Sequence, residues 1–514
     1  MTFSFATIAR QNALHTPDAP ALSFEARTAS FAELDAASSQ VANALRADGV
    51  GAGDRVAVLS KNVPEFFEVV LGCSKIGAVV LGLNWRLAAP EIEAIVADAT
   101  PTLLVANRDH ANLVTPSVLA SPGLTRVVWI GEEFDAWRDA AAPADPMHVS
   151  QPDEVALLLY TSGTTGAPKG VMLTNDNMSF TPAMAATAWG IDHTSVNLVA
   201  MPLFHIGGIG YGLSAMCHGG HTVLMREVDP VAILRSIERY QVTHAFFVPA
   251  VIQMLLTATE NAATDVSSLR LLVYGAAPIG EELLRRAIAA FGCGFTQAYG
   301  MTETAGTVVV LAATDHDPDG PRANLLRACG RPLPWVEARL VNPQTLSDAD
   351  AGDIGEIWLR CGGVTPGYWN QPTESEAAIT AEGWLRTGDA AYQDGDGYLF
   401  LFDRFKDMIV SGAENVYPAE VENALGCHPE VSEVAVIGVP DERWGETVKA
   451  FVVLRPGTAV DAATLINFAR ERLAKYKCPT SIDFVDSLPR NASGKLLKKE
   501  LRAAHWQGLG RGVN

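Results

Sequence analysis

Cysteine is scarce and badly placed for structural chemistry. The seven cysteines of this 514-residue chain are scattered from Cys73 to Cys478, odd in number, and no two form a C-x-x-C pair. That pattern excludes a disulfide framework and a thiolate zinc site, and it fits a reducing cytoplasm. Long apolar runs are also missing. The most hydrophobic stretch, VVLGCSKIGAVVLGLNW, is interrupted by Ser74 and Lys75. The N-terminal MTFSFATIARQN has no basic start followed by an apolar segment, so neither a membrane span nor an export signal is expected, although peripheral membrane contact stays open. Positive charge is in deficit, with 38 Lys+Arg against 58 Asp+Glu and a net charge of −20. Such an imbalance argues against a nucleic-acid partner, because phosphate backbones demand local positive potential. Internal repeats and low-complexity segments are absent too.

What the chain does have is length and rhythm. It is too long for one hydrophobic core and should divide into at least two domains. Between residues 55 and 130, and again from 155 to 300, short apolar segments such as RVAVLS, VALLLY, HAFFV and LRLLVYG alternate with amphipathic ones such as VAILRSIERY and GEELLRRAIAAF. That alternation predicts an α/β fold of stacked layers with largely parallel sheets, whose ligand loops lie at strand C-termini. Residues 335–403 change character: ARLVN, GEIWLR and GYLFLFDR, set off by Gly/Asp turns, suggest a small β subdomain. After DRFKDMIV comes an α+β module, with a helix over PAEVENAL that has Pro418 in its first turn and a helix over DAATLINFARERLAKY capped by Asp461. The expected organisation is a large domain over 1–403, a connector over 404–408 and a small domain over 409–514. From Arg404 onward there are 15 Lys+Arg against 14 Asp+Glu, so the large part carries essentially all of the negative charge.

The stretch YTSGTTGAPKG directly follows the apolar VALLLY. Gly163, Gly166 and Gly170 allow backbone shapes that turn successive N–H groups toward one anion, while Thr161, Ser162, Thr164, Thr165 and Lys169 add further donors. In composition this is a phosphate cradle, and a flexible polar turn is the plainer alternative. It is not the P-loop of nucleotide triphosphatases, since Pro168 precedes the lysine and Gly170 follows it where that motif needs Ser or Thr. Further on, Gly275, Ala276, Ala277 and Pro278 end a strand in small residues against which a flat ring could lie. Tyr299, Gly300, Thr302 and Glu303 end another, and a carboxylate beside hydroxyls suits Mg²⁺. Asp389 could accept from both hydroxyls of a ribose with Arg404 beside it, and Lys495 sits in a polar loop near the C-terminus. Taken singly, each of these has an ordinary reading as a turn or surface residue.

Taken together and in order, YTSGTTGAPKG, MPLFHIGG, YGAAP, YGMTE, GWLRTGD, DRFKDMIVSGAENVYPAEVE and PRNASGK resemble the acyl-CoA synthetases of the adenylate-forming superfamily over essentially the whole chain. The resemblance implies that Thr161 to Lys169 hold the ATP phosphates, that Gly275 to Pro278 and Tyr299 receive adenine, and that Gly300 and Thr302 belong to the same nucleotide site. It further implies that Glu303 binds Mg²⁺, that Asp389 and Arg404 contact the ribose, and that Lys495 bridges the substrate carboxylate and the α-phosphate. Lys406 would lie at the hinge, and His205 would order the carboxylate site. Ser411, Gly412, Ala413 and Glu414 would line the pantetheine path of coenzyme A, with Trp444 and Gly445 near its nucleotide, although Ala413 stands where the family has glycine.

The implied activity is two-step: ATP and an acid give acyl-AMP and pyrophosphate, then the acyl group passes to the thiol of CoA. Ile206, Gly207, Gly208, Ile209, Gly210 and Gly212 follow His205, and their small bulk predicts an apolar acyl space. A medium- or long-chain fatty acid fits that wall, with an aromatic cinnamate- or benzoate-type acid as close competitor. A dicarboxylate is disfavoured because no second cation is apparent. Carrier-protein loading and a luciferase-like oxygenase are the rival activities. A homodimer is left open.

Overall fold

Apolar strands of four to eight residues, most of them buried on both faces, dictate parallel sheets covered by helices, and two such sheets form the large domain. The computed structural model describes residues 2–162, 168–259, 264–277, 279–350, 352–404, 407–411, 414–441, 445–490 and 496–506. One sheet has six strands in the order Arg126–Trp129, Leu103–Ala106, Arg55–Leu59, Val79–Gly82, Val155–Ser162 and Pro168–Thr174. All neighbours are parallel except the last pair. The other has nine, with six parallel strands at its centre: Gly294–Met301, Leu271–Gly275, His244–Phe247, Val196–Val199, His221–Leu224 and Pro20–Phe24. Antiparallel strands close both of its edges.

The helix Pro64–Ser74 is buried from Phe66 to Ser74, which its nearly uninterrupted apolar sequence requires. It packs without slack. A Cβ on Gly72 would lie 2.8 Å from Val41, and one on Gly212 would lie 2.8 Å from the ring of Phe67. Glycine at both positions therefore lets helices close on each other, and one continuous core joins the layers.

The small β subdomain expected from residue 335 is a four-stranded antiparallel sheet, Glu337–Val341, Gly355–Arg360, Leu385–Gln393 and Leu399–Arg404. The C-terminal module has its own core, including Ile409, Val421, Leu425, Val436 and Leu465, under a five-stranded sheet. Its helix starts as Asp461 predicts, the carboxylate accepting from the Thr464 amide at 2.8 Å. The helix spans Ala462–Arg470, shorter than the sequence pattern suggests, because Leu473 turns in against that core and Lys475–Lys477 tighten into a 3₁₀ turn.

Three histidines are held neutral by this packing. Burial lowers His205, His221 and His316 to about 4. His316 donates from Nδ1 to the Ala312 carbonyl at 2.9 Å, leaving Nε2 to accept from Tyr274 at 2.9 Å, an arrangement only the neutral ring supports. Each group binds a proton more readily unfolded than folded, so stability is full above the unfolded value near 6.5 and is lost as pH falls toward 4. The melting temperature should therefore drop between pH 6.5 and 4, and His221→Gln with His316→Gln should flatten that slope in a calorimetric pH series.

Candidate active site

The strand Val155–Ser162 runs two residues further than its apolar sequence suggests, because it pairs with Pro168–Thr174, a second strand where the composition predicts a loop. Thr161 lies opposite Lys169 and Ser162 opposite Pro168. The intended phosphate loop is thus the connection of an edge hairpin. Gly163, Thr164, Thr165 and Gly166 lie outside the described residues, as does the side chain of Ser162. Behind the loop, a Cβ on Gly170 would lie 2.9 Å from the Tyr160 ring, whose hydroxyl is tied to Asp98. Gly170 is needed to seat the hairpin on that fixed ring.

A segment with no sequence motif of its own, Thr365 to Asn370, stitches this hairpin to Glu303. Met172 donates its amide to the Gly367 carbonyl and Trp369 donates to the Gly170 carbonyl at 2.7 Å, while Thr365 donates to the Glu303 carbonyl at 2.8 Å. Tyr368, in the middle, reaches both charges. Its hydroxyl donates to the Glu303 carboxylate at 3.0 Å, and the Lys169 ammonium sits over its ring, 5.1 Å from the centroid. Burial, then the Glu303 charge, raises the Tyr368 pKa, so the hydroxyl stays protonated and donating. Lys169, largely buried, pairs with the more exposed Glu374 on the short helix Pro372–Ala378. The sequence signal for these partners was the polar run GYWNQPTE, which shows no period and carries no glycine–lysine pattern to attract notice.

Two neighbouring strands of the nine-stranded sheet end at the residues expected to receive the nucleotide. Leu271–Gly275 exits into Ala276, whose φ is 61°, and Gly294–Met301 exits through the 3₁₀ turn Thr302–Thr304 into Ala305, whose φ is 55°. Left-handed alanines are strained, and such strain concentrates where a loop is shaped for binding. Gly300 is obligatory, since a Cβ there would lie 1.9 Å from the Gly306 carbonyl oxygen. Gly275 is equally confined, 2.1 Å from the carbonyl oxygen of Ala298, while Ala277 continues the small-residue ledge. The buried Tyr299 hydroxyl donates to Asp389 at 2.8 Å, joining this sheet to the four-stranded one. Asp389 is register partner to Arg404, whose side chain lies outside the described part, as does Pro278.

His205 caps the helix Ile206–Met216, tilted against Phe204 with ring centroids 4.5 Å apart. Burial, with a smaller contribution from Arg86, holds it neutral at physiological pH, and its Nε2 has no hydrogen-bond partner among the described residues. The glycines after it do not leave the open apolar space expected from their size. A Cβ on Gly208 would strike the Pro202 carbonyl at 2.0 Å, Gly207 faces the Phe246 ring at 3.1 Å and Gly210 faces Ile206 at 3.2 Å. Ile209 is fully buried in the core. These glycines serve close packing, and the protein's own side chains fill the room they vacate. A cavity of about 20 Å³, space for one water, lies beyond them between Phe180, Met184, Ala305 and Trp335.

In the C-terminal module, Ser411 is register partner to Gly445, so the two stretches assigned to CoA meet in one sheet. Gly412, Ala413 and Trp444, with Lys406 and Lys495, lie outside the described residues, and of Glu414 only the backbone is described. As for a metal, no group of three or more His, Cys, Asp or Glu side chains is poised to hold one among the described residues. A single carboxylate, Glu303, fits Mg²⁺, which keeps waters and shares substrate phosphates and does not require a protein cage. No helix among the described residues is long and apolar enough to cross a membrane.

Comparison with known proteins agrees with this geometry. Residues 9–369 match the AMP-binding enzyme family and 420–495 match the AMP-binding enzyme C-terminal domain. ScoC of Streptomyces coeruleorubidus, a fatty acid–[acyl-carrier-protein] ligase, is 40% identical over 98% of this chain and 96% of its own. A feruloyl-CoA synthase from an Amycolatopsis species is 40% identical over 95% of this chain and 96% of its own. The crystal structure of ATP-bound MatB from Rhodopseudomonas palustris matches with a TM-score of 0.90 and 31% identity, over 98% of this chain and 99% of that one. The chain belongs to the AMP-binding enzyme family, as an acid–thiol ligase that consumes ATP.

Proposed function

We propose that this enzyme activates a monocarboxylic acid as its acyl-adenylate and then transfers the acyl group to the thiol of coenzyme A. The observation that carries the reading is the convergence on Tyr368 of Glu303 at 3.0 Å and Lys169 at 5.1 Å from its ring. A carboxylate attacking an anionic phosphate meets like-charge repulsion, and these residues address it from two sides. Glu303, held by the Tyr368 hydroxyl, would bind Mg²⁺, which supplies charge neutralisation on the phosphates. Lys169 stands beside the hairpin loop and is free to exchange Glu374 for a phosphate oxygen, because a partly exposed ion pair is worth only about 0–1 kcal/mol. His205, neutral and half-buried, supplies a ring nitrogen at the carboxylate end without adding charge.

The assignment of Lys495, of residues 404–408 as a hinge and of 1–403 and 409–514 as the moving bodies is part of the same proposal. An acyl-adenylate is prone to hydrolysis, so one lysine loop that enters for the first step and withdraws for the second reconciles a dry site with thiol access. The near-neutral charge of the segment from Arg404 onward supports its approach to ATP and CoA. A 40% identical relative carries the name of a carrier-protein ligase, which makes the acceptor a specific question: product formation with free CoA against a phosphopantetheinylated carrier protein decides it.

Three outcomes test the scheme. Glu303→Gln keeps an acceptor for Tyr368 but loses the charge, so pyrophosphate release should fall about 10²- to 10³-fold with the melting temperature unchanged. Glu374→Gln removes the resting partner of Lys169 and should lower the KM for ATP about 2- to 5-fold, in line with the small value of such a pair. An unchanged or raised KM would show that Glu374 holds Lys169 in place and does not compete for it. Lys495→Ala should abolish adenylate formation while sparing thioester formation from supplied acyl-adenylate. Equal losses in both half-reactions would refute the two-step use of the small domain.

A further inference from the structure

We infer that Arg502 is a positioning residue for adenylate formation, fastening the lysine-bearing tail of the C-terminal module to the end of the connector. This deepens the proposed function and rests on it. The helix Lys498–Ala503 begins three residues after Lys495. Lys498 and Arg502 stand one turn apart on one face of that helix, and each meets a carboxylate. Lys498 pairs at 3.0 Å with Glu422, on the module's own helix Pro418–Gly426. Arg502 pairs at 2.6 Å with Asp407, inside the connector expected over 404–408. Leu496 and Leu501 pack on the cluster of Ala435, Ile437 and Phe451, and the Trp506 indole donates to the Gly438 carbonyl at 3.0 Å. The flanks of the Lys495 segment are closed on each other as well. Arg490 and Leu496 form an antiparallel bridge, and Leu497 donates its amide to the Pro489 carbonyl at 2.8 Å.

Asp407 is where this set of contacts reaches beyond the module. Arg404 is still a register partner of Asp389 in the four-stranded sheet of the large domain, and Ile409 already belongs to the core of the C-terminal module. Between them, the tie to Arg502 assigns Asp407 to the moving side and leaves Phe405 and Lys406 to absorb the rotation. The side chains of Arg502 and Asp407 are 13% and 16% exposed. Nε and Nη2 of Arg502 have no hydrogen-bond partner among the described residues, so there the guanidinium is held through its bond to Asp407. Parting a pair this buried would strand both charges away from water, and salt screens it little, so it stays closed while the chain turns. A tail fixed both to the module core and to the connector brings Lys495 to one place at each closure. Fixed to the core alone it would arrive with more scatter, and a misplacement of about 1 Å in a reacting group costs about a hundredfold in rate.

The test measures the two half-reactions separately in the full-length enzyme: pyrophosphate release from ATP with whichever of acetate, octanoate, palmitate, benzoate and cinnamate the wild type activates fastest, and thioester formation from the matching supplied acyl-adenylate. In Arg502→Gln the kcat for pyrophosphate release should fall about 10- to 100-fold with the KM for ATP within about twofold, while thioester formation changes less than about twofold. Arg502→Lys keeps the charge and should recover most of the loss. Because Arg502→Gln leaves Asp407 without its counter-charge, the double variant Arg502→Gln with Asp407→Asn removes both charges and should fold, with the same selective loss. Equal losses in both half-reactions overturn the inference, since a merely structural role lowers the two together, and so does an unimpaired first half-reaction in the double variant. Lys495→Ala separates the two readings. If it spares thioester formation while the Arg502 variants do not, this inference alone fails; if it impairs both half-reactions equally, or if no acid of the panel releases pyrophosphate, the proposed function and this inference fall together.

Discussion

Glu303 and Lys169 belong to different sheets, and their separation is set by one backbone stitch. Thr365 bonds the main chain of Glu303, while Gly367 and Trp369 bond the strand that carries Lys169. Hydrogen bonds between main chains leave little freedom, so the segments that carry Glu303 and Lys169 are held as a unit. Tyr368 lies at the centre of that stitch, and this explains how one side chain can serve two charges: its hydroxyl meets the carboxylate and its ring faces the ammonium. The rest of the large domain can be read as what holds this short segment taut. Gly300 and Gly170 are glycines because carbonyl and ring atoms of the same neighbourhood occupy the places their side chains would need.

The electrostatics of the site follow from burial more than from charge pairing. His205 is kept neutral by desolvation, and Tyr299 and Tyr368 are kept protonated chiefly by the same cause. An aromatic and hydroxyl-lined site of this kind holds few fixed charges of its own. It suits a reaction whose charges arrive with the substrate, because each added ion is then met by a dipole or a single counter-charge already in position.

The layered α/β architecture was legible in the sequence, because strands buried on both faces read as continuous apolar runs and their helices as amphipathic ones. RVAVLS, LRLLVYG and GEELLRRAIAAF each fold as their pattern dictates. Where pattern was weak, reading failed. Pro168–Thr174 is a strand although it begins Pro-Lys-Gly, since its partner Val155–Ser162 and the Tyr368 bridge impose pairing that local propensity does not. Glu303, Lys169, Asp389 and Tyr299 were visible from motif and resemblance. Tyr368, Thr365 and Glu374 were not, because their roles depend on contacts more than 60 residues away in sequence and on no local signature.

The glycine-rich turn after His205 shows how composition can mislead about space. Glycine was read as room for a ligand, but a missing Cβ can equally admit a neighbouring backbone or ring, and at Gly208, Gly212 and Gly207 the neighbour is Pro202, Phe67 or Phe246. What decides between the two readings is what lies within reach of the missing Cβ. Around Gly208 the gap is closed by the Pro202 carbonyl and around Gly212 by the Phe67 ring, as in any tight core. Around Gly207 the ring of Phe246 closes the gap in the same way, packed in turn against Tyr211. The glycines of this helix therefore mark where neighbouring elements approach most closely, and small residues by themselves do not mark a ligand pocket.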